Sequence, residues 1–90
     1  MSVEAFLKQR AVKVAVIGNY TLPNWYDPQG KLRTFACRTT RVSPFRLMAE
    51  VPVVGKVGDR LSAYFQDFGK FDASISATQT GLFLIELEMT

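Results

Sequence analysis

The stretch FDASISATQTGLFLIEL, residues 71–87, decides the fold class. Phe71, Ala73, Ile75 and Ala77 alternate with Asp72, Ser74 and Ser76, a period of two that sends one set to a buried face and the other to solvent. Gln79, Thr80 and Gly81 supply a turn, after which Phe83, Ile85 and Leu87 resume the alternation opposite Glu86 and Glu88. These are two strands of a hairpin. A lone hairpin is barely stable in water, so other strands must complete its core.

Reading back from the hairpin, Asp67 to Lys70 forms a turn centred on Gly69, preceded by a strand over Arg60–Gln66 with Leu61, Ala63 and Phe65 on one side. Gly55 and Gly58 bracket an irregular loop, Pro52–Gly58, that follows a short strand, Arg46–Val51. Ser43 and Pro44 end a longer strand, Leu32–Val42, which carries Phe35 and Cys37 on one face and Ala36 and Arg38 on the other. Pro23, Asn24, Asp27, Pro28 and Gly30 mark a long loop with Trp25 and Tyr26 at its centre, expected to cover one end of a barrel. The first strand runs from Ala11 to about Leu22, with Val12, Val14 and Val16 on one face and Gly18 as a bulge or sharp bend.

Ser2 caps a helical turn that reaches Gln9, too short to be stable alone. The N-terminal segment, residues 1–10, is therefore expected to dock on the barrel through Phe6 and Leu7. Six short strands, tight turns and at most one short N-terminal helical turn predict an all-β chain, a small six-stranded antiparallel barrel, with residues 1–90 as a single domain. Val14, Phe35, Leu61, Phe65, Ile75, Phe83 and Ile85 are its expected core. No internal repeat or linker is visible.

The 90 residues carry a net charge of +3, one cysteine and no histidine. This composition excludes disulfide frameworks, ordinary zinc sites and histidine-based catalysis. Asp67 with Asp72, and Glu86 with Glu88, read as solvated surface pairs, and Cys37 as a small buried hydrophobe. Gly55 and Gly58 lack the lysine and helix of a phosphate loop. The chain is not expected to be an enzyme, and no cofactor or metal is expected. With no signal-like start and no apolar run of membrane-spanning length, the expected location is the cytoplasm, without membrane insertion.

The segments VSPFRL, VPVVGKVGDRL, the hairpin around FGKF, and TGLFLIEL follow one another between Phe35 and Leu87 in an order that resembles a PilZ domain. QRAVKVAVIGNYTL is similar to that family's first strand. The resemblance implies a bacterial signalling barrel, best known as a receptor for cyclic diguanylate (cyclic-di-GMP). In that family an RxxxR pair precedes the first strand and a (D/N)xSxxG run occupies a later turn. Arginine suits both tasks of such a site, stacking on guanine and pairing with phosphate.

Carried over by position, the second arginine of the pair is Arg10, but Phe6 stands four residues before it. In the turn Ser43 is retained, whereas Arg41 replaces the acid or amide and Arg46 the glycine. The chain is a degenerate member on this reading. Binding of cyclic-di-GMP is expected to be weak or absent, with another protein as the expected partner, met through Trp25, Tyr26 and the rim bearing Arg41 and Arg46. The alternative is a genuine receptor that uses Arg10, Arg41, Ser43 and Arg46 in an altered mode. A third reading, single-stranded nucleic acid on Phe35, Arg33, Arg38 and Arg41, is disfavoured because alternation sends Arg38 to the opposite face.

Overall fold

The computed structural model describes residues 2–8 and 11–88. One short helix, α1 (Val3–Leu7), precedes seven strands: β1 (Val12–Lys13), β2 (Ile17–Tyr26), β3 (Leu32–Val42), β4 (Arg46–Glu50), β5 (Arg60–Phe65), β6 (Gly69–Gln79) and β7 (Leu82–Leu87). Strands β2 to β7 close an antiparallel barrel in the order β3, β2, β5, β6, β7, β4, with β4 returning to β3. The extra strand, β1, lies against the end of β3.

Inside the barrel, Phe35, Leu61, Phe65, Ile75, Phe83 and Ile85 are buried as the alternation predicts, joined by Tyr20 and Leu22. Tyr20 sets its ring at a tilt against Phe35 and edge-on to Phe83, and its hydroxyl donates to the Val53 carbonyl in the β4–β5 connection. Val14, expected in this core, is only partly buried at its edge, and Val12 is exposed.

The reason is that the first predicted strand is broken. Val12 and Lys13 pair with Val42 and Arg41, and pairing then resumes at Ile17 with Arg38. Val14, Ala15 and Val16 thus oppose only Thr39 and Thr40, one residue too many, which is a bulge. Thr39 fills the break: its hydroxyl accepts from the Val16 N–H at 2.8 Å and donates to the Val14 carbonyl, while its own N–H donates to the Val16 carbonyl at 2.9 Å. It is the buried polar side chain among the described residues, 1% exposed. The bulge therefore lies three residues before Gly18, which instead sits in regular pairing between Cys37 and Phe65.

Replacing Thr39 by valine keeps the shape but strands the Val14 carbonyl and the Val16 N–H. The expected loss is about 1–3 kcal/mol in urea unfolding, with Thr39→Ser recovering most of it. A valine variant as stable as the parent would show that water satisfies these groups.

A relationship absent from the sequence pattern appears in the registers. Strands β2, β3 and β4 form one meander, and β5, β6 and β7 form another. In the first, Thr39 pairs with Ala49 and Arg41 with Met48, leaving Thr40 as an extra residue. In the second, Ile75 pairs with Ile85 and Ala77 with Leu84, leaving Ser76 as the extra residue. Each extra residue donates its hydroxyl to the facing strand: Thr40 to the Met48 carbonyl at 3.3 Å, Ser76 to the Leu84 carbonyl at 3.2 Å. The halves meet like with like, β4 on β7 through the Met48–Leu84 pair and β2 on β5 through the Tyr20–Ala63 pair. This is an internal pseudo-two-fold. It escapes sequence reading because the equivalent positions share only polarity and size, as Cys37 with Ala73 and Leu47 with Phe83 do.

The Ser76 bulge also turns Ala77 out of the barrel, against the expected alternation. Ala77, Met48 and Leu84 form a second apolar patch outside, covered by Val3 and Phe6 of α1. Ser2 caps the helix as expected, its hydroxyl accepting from the Ala5 N–H at 3.1 Å. Phe6 is fully buried, but Leu7 is exposed, because Val3 and Phe6, with Ala11 at the edge, cover the patch.

Candidate interaction surfaces

The site residues inferred from the family pattern separate into several environments. Phe6, at the first arginine position, belongs to the core beneath α1. Arg10 lies outside the described residues. Ser43 closes the β3–β4 turn: its N–H donates to the Arg46 carbonyl at 2.8 Å and its hydroxyl to the same oxygen at 3.2 Å. That hydroxyl is therefore engaged in holding the hairpin.

Arg41 and Arg46 do share the outer surface. Arg41 pairs in register with Met48, whose side chain faces the helix, so the pleat directs Arg41 outward as well. Lys13, on the other flank of β3, is directly opposite Arg41. This cross-strand pair of like charges costs stability where no anion lies between them. Arg46 lies one row on, its side chain 29% exposed, with one guanidinium nitrogen 3.9 Å from Glu86. Its Nε is buried and has no hydrogen-bond partner. No sequence signal marks Lys13, because only the register across the Val14–Val16 bulge brings it beside Arg41.

Trp25 and Tyr26 were expected at the centre of a loop; they are the last residues of β2. Tyr26 pairs with Leu32 after an irregularity that contains Asn24 at φ 67°. The turn beyond is closed by Asp27, whose carboxylate accepts from the Gln29 and Lys31 N–H groups at 2.9 Å each. The prolines and asparagine that suggested a loop mark this distorted ribbon. Trp25 still covers the barrel end, since its ring meets Phe35 edge-on at 5.6 Å, while the Arg33 guanidinium stands 5.4 Å over the same Phe35 ring. Trp25 remains 41% and Tyr26 57% exposed. Beside them a cleft of about 330 Å³ runs between Pro23, Trp25 and the loop of Gly55, Lys56 and Asp59.

Phe35 is buried beneath Trp25, and Arg38 on the outer face pairs with Glu50 at 2.9 Å. Phe35, Arg33, Arg38 and Arg41 thus do not form the single surface that a nucleic-acid strand requires. Two of the carboxylates, Glu88 and Asp72, are held in structural contacts. Arg60 grips Glu88 with two bonds of 2.8 and 2.7 Å, and Asp72 accepts from the Ser62 hydroxyl at 3.0 Å. Cys37 is buried, and desolvation pushes its thiol up to about 12, so it carries almost no thiolate at neutral pH. Among the described residues no cluster of three potential metal ligands occurs, and no helix is long and apolar enough to cross a membrane.

Comparison of the chain with family models, curated proteins and solved structures finds no match.

Proposed function

We propose that the chain is a non-catalytic, PilZ-like binding module that works through protein contacts at the Trp25–Tyr26 end of the barrel. The observation that carries this reading is the state of Trp25, half exposed yet fixed edge-on against Phe35 with Arg33 on the same ring. Tryptophan, tyrosine and arginine dominate interface energies, and a side chain already immobilised loses little entropy when a partner covers it.

A second reading rests on a different observation, the convergence of Lys13, Arg41 and the partly unsatisfied Arg46 on one outer face. Such a face suits a phosphate-bearing ligand, cyclic-di-GMP being the one implied by the family resemblance.

Two measurements separate the readings. Calorimetric titration with cyclic-di-GMP is expected to give a dissociation constant weaker than ~100 μM. A photo-crosslinker at Tyr26 is expected to capture one partner from extracts of the source cells, with Trp25→Ala lowering capture about tenfold or more while the β-sheet circular dichroism stays unchanged. Low-micromolar cyclic-di-GMP binding that Arg41→Ala or Arg46→Ala weakens would replace the first reading by the second.

A further inference from the structure

The barrel wall is incomplete at the end opposite Trp25. Strand β5 covers β2 only from Gly18 to Tyr20, and its last contact is the Gln66 N–H on the Ile17 carbonyl at 3.0 Å. The chain then turns away through Asp67 at φ 75° and Gly69. Strand β1, displaced by the bulge that Thr39 holds, pairs with β3 on one side and with no other strand among the described residues. Its second edge faces an opening of about 400 Å³ lined by Val12, Val14, Val42, Ser43, Pro44 and Phe68. Val12 is 64% and Phe68 44% exposed there.

The free edge of this two-residue strand presents an unpaired backbone donor and acceptor that can pair with another extended chain. The pleat fixes what that chain must carry. Residues on the inner side of an added strand would meet the apolar floor; those on the outer side would extend the row that already holds Lys13 and Arg41. Two adjacent cations without an ion-pair partner among the described residues call for negative charge next to them.

We propose that this opening is a strand-addition site, which takes an extended segment of a partner protein with alternating apolar and acidic residues. The segment pairs with the outer edge of β1, its apolar side chains seated over Val14, Val42 and Phe68 and its carboxylates beside Lys13. Main-chain pairing at this short edge fixes the register, and the alternating side chains, seated on the apolar lining and beside Lys13, supply affinity and selectivity. The site lies about 34 Å along β3 from the Trp25 end, from the rise of ~3.4 Å per residue, and does not depend on the surface proposed above.

Fluorescence anisotropy with a labelled peptide of about nine alternating glutamates and valines tests the proposal, with peptide concentrations up to ~1 mM. The alternating peptide should bind at least tenfold more tightly than a peptide of the same composition with the valines in one block. Lys13→Glu should weaken it about tenfold and admit an alternating lysine–valine peptide instead; Phe68→Ser should also weaken it, and Trp25→Ala should leave it unchanged. Both Lys13 and Phe68 are exposed, so the variants should fold, as circular dichroism would verify. Equal binding of alternating and block peptides, or indifference to Lys13→Glu, would overturn the proposal. Sedimentation showing that the chain alone dimerises through Phe68 would also overturn it, by giving the site to a second copy.

Discussion

Phe6→Arg is expected to destabilise the domain by about 3–6 kcal/mol. Phe6 is fully buried between α1 and the Met48–Ala77–Leu84 patch, where a guanidinium would have neither water nor a carboxylate. The chain escapes that cost by releasing the helix, which forfeits the burial of both Val3 and Phe6 at about 1.5–3 kcal/mol each. Urea unfolding followed by circular dichroism measures the loss, and a variant as stable as the parent would show that α1 does not dock as described. The substitution also bears on function, because it is the one that would create an RxxxR spacing with Arg10. On the proposed PilZ-like reading an arginine would stand here; in this chain the position is taken up by packing.

Gly18→Ala should cost about 3 kcal/mol or more. An added Cβ would lie 2.3 Å from the Tyr64 carbonyl oxygen and 2.4 Å from the Phe65 ring. The obstructing atom is backbone in the facing strand, so no rotamer change relieves the clash, and β2 and β5 must separate along a seam of only three paired residues. For a domain of this size the loss corresponds to a fall of about 12–24 °C in the thermal midpoint. A midpoint within a few degrees of the parent would mean that the seam is looser than its registers imply. Here glycine serves close approach of two strands, not chain bending.

The strands on either side of the Thr80–Gly81 turn were legible, except at Ala77 beyond the Ser76 bulge, because alternation and turn chemistry agree elsewhere there, and the same holds for Leu61, Ala63 and Phe65 around Gly69. The first strand was misread at its most informative point. In Val12–Lys13–Val14–Ala15–Val16 nothing marks an inserted residue, since the bulge is stabilised by Thr39, twenty-three residues from the Val16 N–H it satisfies. The ribbon at Trp25 was hidden for the opposite reason: Pro23 and Asn24 announce irregular backbone, but not that pairing resumes at Tyr26. Of the candidate site, Arg41 and Arg46 were found from the motif and do lie on one face, whereas Lys13 joins them only through register. The second apolar patch was invisible because Met48 and Leu84 stand on positions that alternation assigns to solvent, and only the docked helix explains them.

The pseudo-two-fold has a consequence for assembly. Two meanders that meet through equivalent strands resemble an isologous dimer written into one polypeptide. Neither half covers its own inner face. As separate molecules they would associate to an extent set by their concentration, whereas the connection between Glu50 and Arg60 holds them at an effective concentration in the millimolar range. The tether replaces a bimolecular encounter with an intramolecular closure, and the barrel's population becomes independent of how dilute the protein is.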